Sequence, residues 1–221
     1  MLAHWRSARA RHVRFGCQEP LVGLLRASLP GIEVVPHPEG PGSCTHIVPL
    51  LDLPMRLGMH APWWPGAPYL RAEAERISKW RAHLEKLPPA RKLGLVWAGG
   101  EKNPNNTKRS LLLSDFEPLA KIPGIEWISL QKGPVAAQAA SAAFPIHDWT
   151  NELHDFADTA ALVECLDGVV TVDTAVAHLA GALGKPVWIL IPMAPDFRWL
   201  MDRADSPWYR TARLIRQRTH G

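Results

Sequence analysis

The stretch from Asp167 to Ile191 constrains the fold more than any other part of the chain. Gly168 to Val172 is a β-branched run, the pattern of a strand buried on both faces of a parallel sheet. Asp173 and Thr174 follow at once, and both residue types favour a helix N-cap. Ala175 to Leu183 is rich in alanine and leucine and predicts a helix. Gly184 and Pro186 stop it. Val187 to Ile191 then reads as a second buried strand. A strand–helix–strand unit of this kind commits the chain to an α/β fold, Rossmann-like and doubly wound, with a parallel sheet.

That unit places a helix start at the carboxyl end of a strand. The free N–H groups there, together with the helix dipole, make an anion site near residues 174 to 176. Thr174 adds a hydroxyl, and His178 projects from the same face one turn later. Asp173, Thr174, Ala175 and His178 are therefore a candidate diphosphate site. The same pattern also fits a well-capped core helix carrying a buried structural histidine, and spacing alone leaves both readings open.

Elsewhere the chain alternates short strands and helices. Strands are expected at His12 to Cys17, Ile32 to Val35, His46 to Leu50, Leu93 to Ala98, Ile125 to Leu130, Pro145 to Trp149 and Ala212 to Gln217. Helices are expected over residues 2–10, from Pro20 to Leu29, in a broken stretch to Gly58, from Arg71 to Leu87, from Ser114 to Ile122 and from Val135 to Ala143. A further helix, capped by Asp158-Thr159, should end near Leu166, and Ala194 to Ala204 should hold a short helical turn. Pro88-Pro89 ends the Arg71 helix and marks a boundary, dividing the chain into 1–88 and 89–221. The segment from Ala61 to Pro68, with Trp63 and Trp64 among prolines, reads as an irregular aromatic loop.

Two more polar groups fall after predicted strands. Lys108, Arg109 and Ser110 close the polar loop after Ala98, and Gln131 and Lys132 follow Leu130. Ligands of doubly wound sheets bind at such strand ends. Two cationic sites and a helix N-terminus around one crevice suit a nucleoside diphosphate. Trp97 reads as packing and Asp158 as a helix cap.

Composition narrows the alternatives. The chain has 221 residues, 47% of them hydrophobic, and a formal net charge of +4. That is a globular balance, and no dense Lys/Arg stripe supports nucleic-acid binding. The Arg6, Arg9, Arg11 and Arg14 cluster reads as a solvated helix face. Cys17, Cys44 and Cys165 lack metal or redox spacing, and His37, His46 and His60 are dispersed. No leader pattern and no long apolar run is visible, so a cytoplasmic location is expected. No G-x-G-x-x-G opens a helix, which argues against a nicotinamide enzyme. A nucleotide-sugar epimerase would need a paired acid and base that the sequence does not display.

The motif V-D-T-x-x-x-H-L-A-x-A-L-x-x-P, with Asp173, Thr174 and His178, resembles the nucleotide-sugar site of heptosyltransferase-like glycosyltransferases (the family-nine type) of the GT-B fold. The nearer likeness is to bacterial glycosyltransferase-like domains that follow tetratricopeptide repeats. Gly94-Leu-Val-Trp-Ala-Gly99, Lys108-Arg-Ser110, Ser129-Leu-Gln-Lys-Gly133, Phe156-Ala-Asp-Thr159 and Arg198-Trp-Leu200 extend it over roughly residues 92 to 217. The loop before Arg109 departs from relatives, which carry a longer basic stretch where this chain has Asn105-Asn-Thr107.

The resemblance implies a metal-independent transferase that moves a hexosyl or heptosyl group from a nucleotide-diphosphate sugar to a glycan, lipid-linked or protein acceptor. No metal or other cofactor is expected, and no Asp-x-Asp pair is present. The resemblance also implies a Gly-Asp loop and a carboxylate base ahead of His12, and neither is found there. None of Glu19, Glu39 and Asp52 fits that base, so no catalytic residue is assigned. The first part thus reads as a truncated Rossmann-like acceptor half, a natural short form or a fragment of a longer product. Residues 1–10 or a second copy would cover its open sheet edge. The rival reading is a donor-binding or assembly module without turnover.

Overall fold

The computed structural model describes residues 12–37, 42–56, 58, 66–101 and 103–219. The helix expected over 2–10, the arginines before His12, Glu39, His60 and the Trp63-Trp64 pair lie outside the described residues. The smaller of two sheets pairs β1 (Arg14–Cys17) in parallel with β2 (Glu33–Pro36), Phe15 facing Val34. Helix α1 (Val22–Ser28) joins them, and Cys17, Val22, Ile32 and Val34 form their own small core.

The larger sheet holds β3 (Arg91–Val96), β4 (Ile125–Ser129), β5 (His147–Asp148), β6 (Gly168–Val172), β7 (Val187–Ile191) and β8 (Ala212–Arg216). Their order is β5-β4-β3-β6-β7-β8, with every pair parallel. The chain builds outward from β3 to β5, returns to lay β6 against the other side of β3, and builds outward again. The order reverses between β3 and β6, and at such a reversal the loops beyond the carboxyl ends of the two strands part in opposite directions, the place where doubly wound sheets form their ligand crevice.

Helices α2 (Ala74–Leu84), α3 (Phe156–Glu164) and α4 (Ala175–Leu183) cover one face. There Trp80, Leu162, Val163 and Leu179 pack with Ile128, Val169 and Ile189. On the other face Leu95, Trp97, Trp127 and Val170 pack with Leu113 and Phe116. Every residue of β6 is buried, as its β-branched run requires. β7 differs from the expected buried strand. Its residues alternate, and Trp188 is 36% exposed. The indole lies across Gly168, where an added Cβ would stand 2.8 Å from the ring.

The core of the larger sheet draws on residues from both sides of Pro88-Pro89. α2 precedes it, yet Trp80 is fully buried in the core of the larger sheet. Arg76 on α2 pairs with Asp158 and, at 3.3 Å, with Asp155, and Lys79 pairs with Glu152 at 3.0 Å. Leu24 of α1 joins the same core.

Several local expectations are corrected. His46 to Leu50 forms no strand; Pro49 lacks an N–H for a ladder, and a 3-10 turn follows at Leu50–Asp52. The Arg71 helix begins only at Ala74, with Glu73 in extended backbone (φ −74°, ψ 134°) as its N-cap, and the Arg71 N–H ahead of it donates to the Ser28 hydroxyl at 3.0 Å. The Ser114 cap is unused. Asp115 instead accepts from the Leu112 N–H at 2.8 Å, and a 3-10 turn leads into the one-turn helix Glu117–Ala120. The alanine-rich stretch is a 3-10 helix, Pro134–Ser141. Asp155, not Asp158, caps α3, accepting from the Asp158 N–H at 2.8 Å. Asp158 is buried and accepts from the His154 N–H at 3.0 Å as well as from Arg76.

Candidate functional site

The crevice is built from the ends of β3 and β6. After Val172 the chain turns through Asp173 into Thr174, whose extended backbone (φ −137°) makes it the N-cap of α4. At a helix start the first N–H groups have no intrahelical acceptor, and Ala175 is exposed there. Gly184 ends α4 in the left-handed region, with its own N–H and that of Lys185 closing on the Gly181 and Ala180 carbonyls.

The Thr174 hydroxyl is directed inward. Thr171 Oγ1 donates to the Val172 carbonyl at 2.8 Å, so the proton of the 3.0 Å hydroxyl pair comes from Thr174. With Thr174 only 8% exposed, it offers the crevice its backbone rather than the free hydroxyl expected from sequence.

Arg109 reaches the tip from the other loop. It ends the short helix Asn106–Arg109, and its Nη1 stands 4.0 Å from Asp173 Oδ2. The guanidinium lies over Gly99, where a Cβ would come within 2.7 Å of Nη2 and 2.8 Å of Nε. Its Nε is buried without a hydrogen-bond partner. Ser110 supports this loop by accepting from the Gly99 N–H at 3.0 Å and donating to Asn106 Oδ1 at 3.0 Å. Lys108 points to solvent.

Gln131 and Lys132 reach the same end of the sheet, but they are spent on the fold. The buried Gln131 amide accepts from the Trp97 and Ala98 N–H groups at 3.1 and 2.9 Å and donates to the Ala98 and Lys132 carbonyls at 3.1 and 2.9 Å. That uses both donors and both acceptor positions of the group. Lys132 Nζ donates to the Thr150 and Leu153 carbonyls at 2.6 and 3.0 Å. Gln131 ties the loop after β4 to the end of β3, and Lys132 ties it to the turn after β5. Trp97 is fully buried, as packing requires.

His178 sits one turn into α4 and is half-buried. Its ring stacks on Trp199, with centroids 5.0 Å apart and planes 11° from parallel. Nδ1 lies 3.0 Å from the Tyr209 hydroxyl. Burial lowers its pKa below the usual histidine value; Asp173 opposes that shift, and Arg198 and Arg109 reinforce it. Burial thus favours the neutral imidazole. Sequence reasoning missed Trp199 and Tyr209 as partners. Trp199 lies inside the quoted Arg198-Trp-Leu200 segment, whereas no local pattern marks Tyr209, which arrives from 31 residues away.

Among the described residues no group of three or more His, Cys, Asp or Glu side chains is placed to hold a metal ion. None of the described helices is long and apolar enough to cross a membrane. A hollow lined by Arg81, Glu85, Lys92, Glu164 and Cys165 opens at the other end of β3. It faces the carboxyl ends of α2 and α3, where the dipoles disfavour an anion.

Comparison with known proteins bears on this crevice directly. The profile of glycosyltransferase family 9 (heptosyltransferase) matches residues 153–190, which include α3, β6, α4 and most of β7. Protein FlbA of Caulobacter vibrioides is 29% identical over 159 residues, 69% of this chain and 26% of that protein. The Escherichia coli ADP-heptose lipopolysaccharide heptosyltransferase II superposes with a TM-score of 0.53 at 17% identity, over 68% of this chain and 46% of that one. A family 9 glycosyl transferase from Veillonella parvula gives 0.56 at 14% identity, over 76% and 47%. The chain thus spans about a quarter of the curated relative and under half of each solved structure. Over residues 153–190, which supply the β6 and α4 side of the crevice, the chain is similar to glycosyltransferase family 9 (heptosyltransferase), and its parallel α/β fold is the GT-B-like fold of those enzymes.

Proposed function

We propose that this chain binds a nucleoside-diphosphate sugar in the crevice between β3 and β6 and supports transfer of its hexosyl or heptosyl group to an acceptor hydroxyl. One juxtaposition carries the reading: the Arg109 guanidinium, seated over Gly99, lies beside Asp173 at the start of α4, where Ala175 is exposed. A diphosphate needs convergent donors, and these are a cation and a helix N-terminus. The neutral His178 adds a ring donor on the same face. Asp173 only accepts hydrogen bonds when ionised; it repels phosphate and suits the hydroxyls of a sugar.

Transfer breaks the bond between the anomeric carbon and the diphosphate oxygen. A bond to the acceptor oxygen forms, and the acceptor proton passes to a base. Negative charge collects on the departing diphosphate, where fixed donors lower the barrier most. Arg109 and the α4 tip supply that positive charge, so the reading includes no divalent metal.

Thermal shift with ADP-, GDP-, UDP- and CMP-linked sugars tests it, with and without EDTA. A ligand that binds the folded chain at 100 times its Kd stabilises it by about 2.7 kcal/mol. A melting temperature unmoved by all four, at millimolar ligand, would sink the proposal; loss of the shift in EDTA would sink its metal-free part. Turnover is read separately by release of free nucleoside diphosphate. Binding without release points to a donor-binding module.

A further inference from the structure

The return from β7 to β8 incurs two costs at adjacent residues. Leu200 has φ 52° and ψ −172°, a backbone region essentially confined to glycine. Its side chain is 44% exposed, so burial does not offset the strain. Trp199, just before it, is wholly buried, yet its indole N–H has no hydrogen-bond partner among the described residues. A plain surface turn needs neither feature. Both accompany one placement: the Trp199 ring lies flat against His178.

A strained turn persists only where its surroundings over-determine it. The entry is fixed locally. Asp196 accepts from the Arg198 N–H at 3.0 Å, and the Leu200 N–H closes on the Phe197 carbonyl at 3.2 Å. The exit is held from β8. Arg216 ends that strand, in register with Ile191. Its Nη2 donates to the Trp199 and Leu200 carbonyls at 2.8 and 3.0 Å, and its Nε donates to the Arg203 carbonyl at 2.8 Å. One planar fork thus collects carbonyls from both sides of Met201 and Asp202, a geometry that a lysine's single nitrogen cannot copy. The Trp208 indole adds a bond to the Arg198 carbonyl at 2.8 Å. Asp202 also has a positive φ, 51°, but aspartate tolerates it; Leu200 is the residue that needs the hold.

We propose that Arg216 is a positioning residue of the crevice: its guanidinium holds Leu200 in the strained conformation and so keeps Trp199 stacked on His178. The Tyr209 hydroxyl, 3.0 Å from Nδ1, pins one edge of the imidazole, and the stack fixes its plane. A ring fixed in this way is a preorganised group at the crevice. The hold stands on the hydrogen bonds alone; that the ring meets a diphosphate rests on the function proposed above.

Proton spectra of histidine-labelled protein read the stack without nucleotide. The His178 ring signals, identified by their loss in His178→Gln, should lie upfield because the indole shields them. Arg216→Met keeps most of the stem and removes the fork. The signals should then move back toward those of free histidine. The Kd for whichever of the four sugar nucleotides stabilises the parent should rise about ten-fold, the loss of one hydrogen bond to a charged group. Glycine takes the Leu200 conformation without strain. In the double variant, Arg216→Met with Leu200→Gly, the upfield signals should therefore return. An arginine that only knits β8 to the sheet predicts the opposite, since glycine would then add a loss of its own. Should Arg216→Met not fold, Arg216→Lys is read the same way and should show a smaller move in the same sense. Signals unmoved in the folded Arg216 variant, or not restored by glycine, overturn the inference. Signals that move and return while affinity stays parental, or a parent that binds no sugar nucleotide, overturn the proposed function instead and leave the hold by Arg216 intact.

Discussion

Gly99→Ala isolates the seat of Arg109 without touching its charge. The new methyl would stand 2.4 Å from Asn106 Oδ1, 2.7 Å from Arg109 Nη2 and 2.8 Å from Arg109 Nε. All three are ends of flexible side chains, so they yield while the backbone stays. The stability cost is about 1 kcal/mol, the low end for a tight site. The guanidinium, however, must leave the crevice. A hydrogen bond to a charged group contributes about 1.5–3 kcal/mol, and about 1.4 kcal/mol is tenfold in affinity. Gly99→Ala should therefore raise the Kd for a sugar nucleotide about 10- to 100-fold, and Arg109→Ala should do the same. The two changes share one mechanism, so the double variant should bind no more than about twofold worse than either single one, which is the non-additivity of coupled sites. Titration calorimetry at fixed salt, with melting temperatures alongside, reads all four proteins. Parent-like binding in both single variants would refute the phosphate role of Arg109. Fully additive losses would refute the claim that Gly99 acts by seating it.

Three further outcomes are expected. His178 has its pKa lowered by burial from 6.5, so the unfolded chain binds the extra proton first. Its contribution to stability is full above about 6.5 and is lost as pH falls toward the folded value; urea melts from pH 7.5 to 5 should show the loss, and His178→Gln should flatten it. Thr174→Val removes a buried hydroxyl pair and should cost about 1 kcal/mol of stability while sparing sugar-nucleotide affinity; a large affinity loss without a change in melting would show that the hydroxyl faces the ligand. Lys132→Met should lower the melting temperature by freeing the Thr150 and Leu153 carbonyls, with little change in Kd; a tenfold affinity loss in a protein of parental stability would restore it as a phosphate ligand.

How much of the site was legible depended on chain distance. Asp173, Thr174, Ala175 and His178 form one contiguous unit, and local rules for strands, caps and helix periodicity place them together. The seating of Arg109 needed Gly99, ten residues earlier, and only a backbone without a side chain leaves space for the guanidinium. Gln131 and Lys132 carry the right charge and polarity at the right strand end. Their hydrogen bonds run to carbonyls and amides of other segments, which no pattern of side chains announces. The cap of α3 slipped because Asp155 and Asp158 satisfy the same propensity, and only the start of the helix at Phe156 makes Asp155 the acceptor of the Asp158 N–H.

The amino-acid sequence by itself settled the parallel strand–helix–strand unit, the stop at Gly184 and the anion-favouring end of α4, because each follows from interactions within a few residues. Packing settled the rest. It decided which strand lies beside β6, and so where the crevice opens, because a reversal of strand order is a relation between distant segments. It also decided which way the Thr174 hydroxyl turns, and that Trp199 and Tyr209 meet at one imidazole. Those choices depend on which groups are left to share protons once water is excluded, a condition that exists only after the chain has closed on itself.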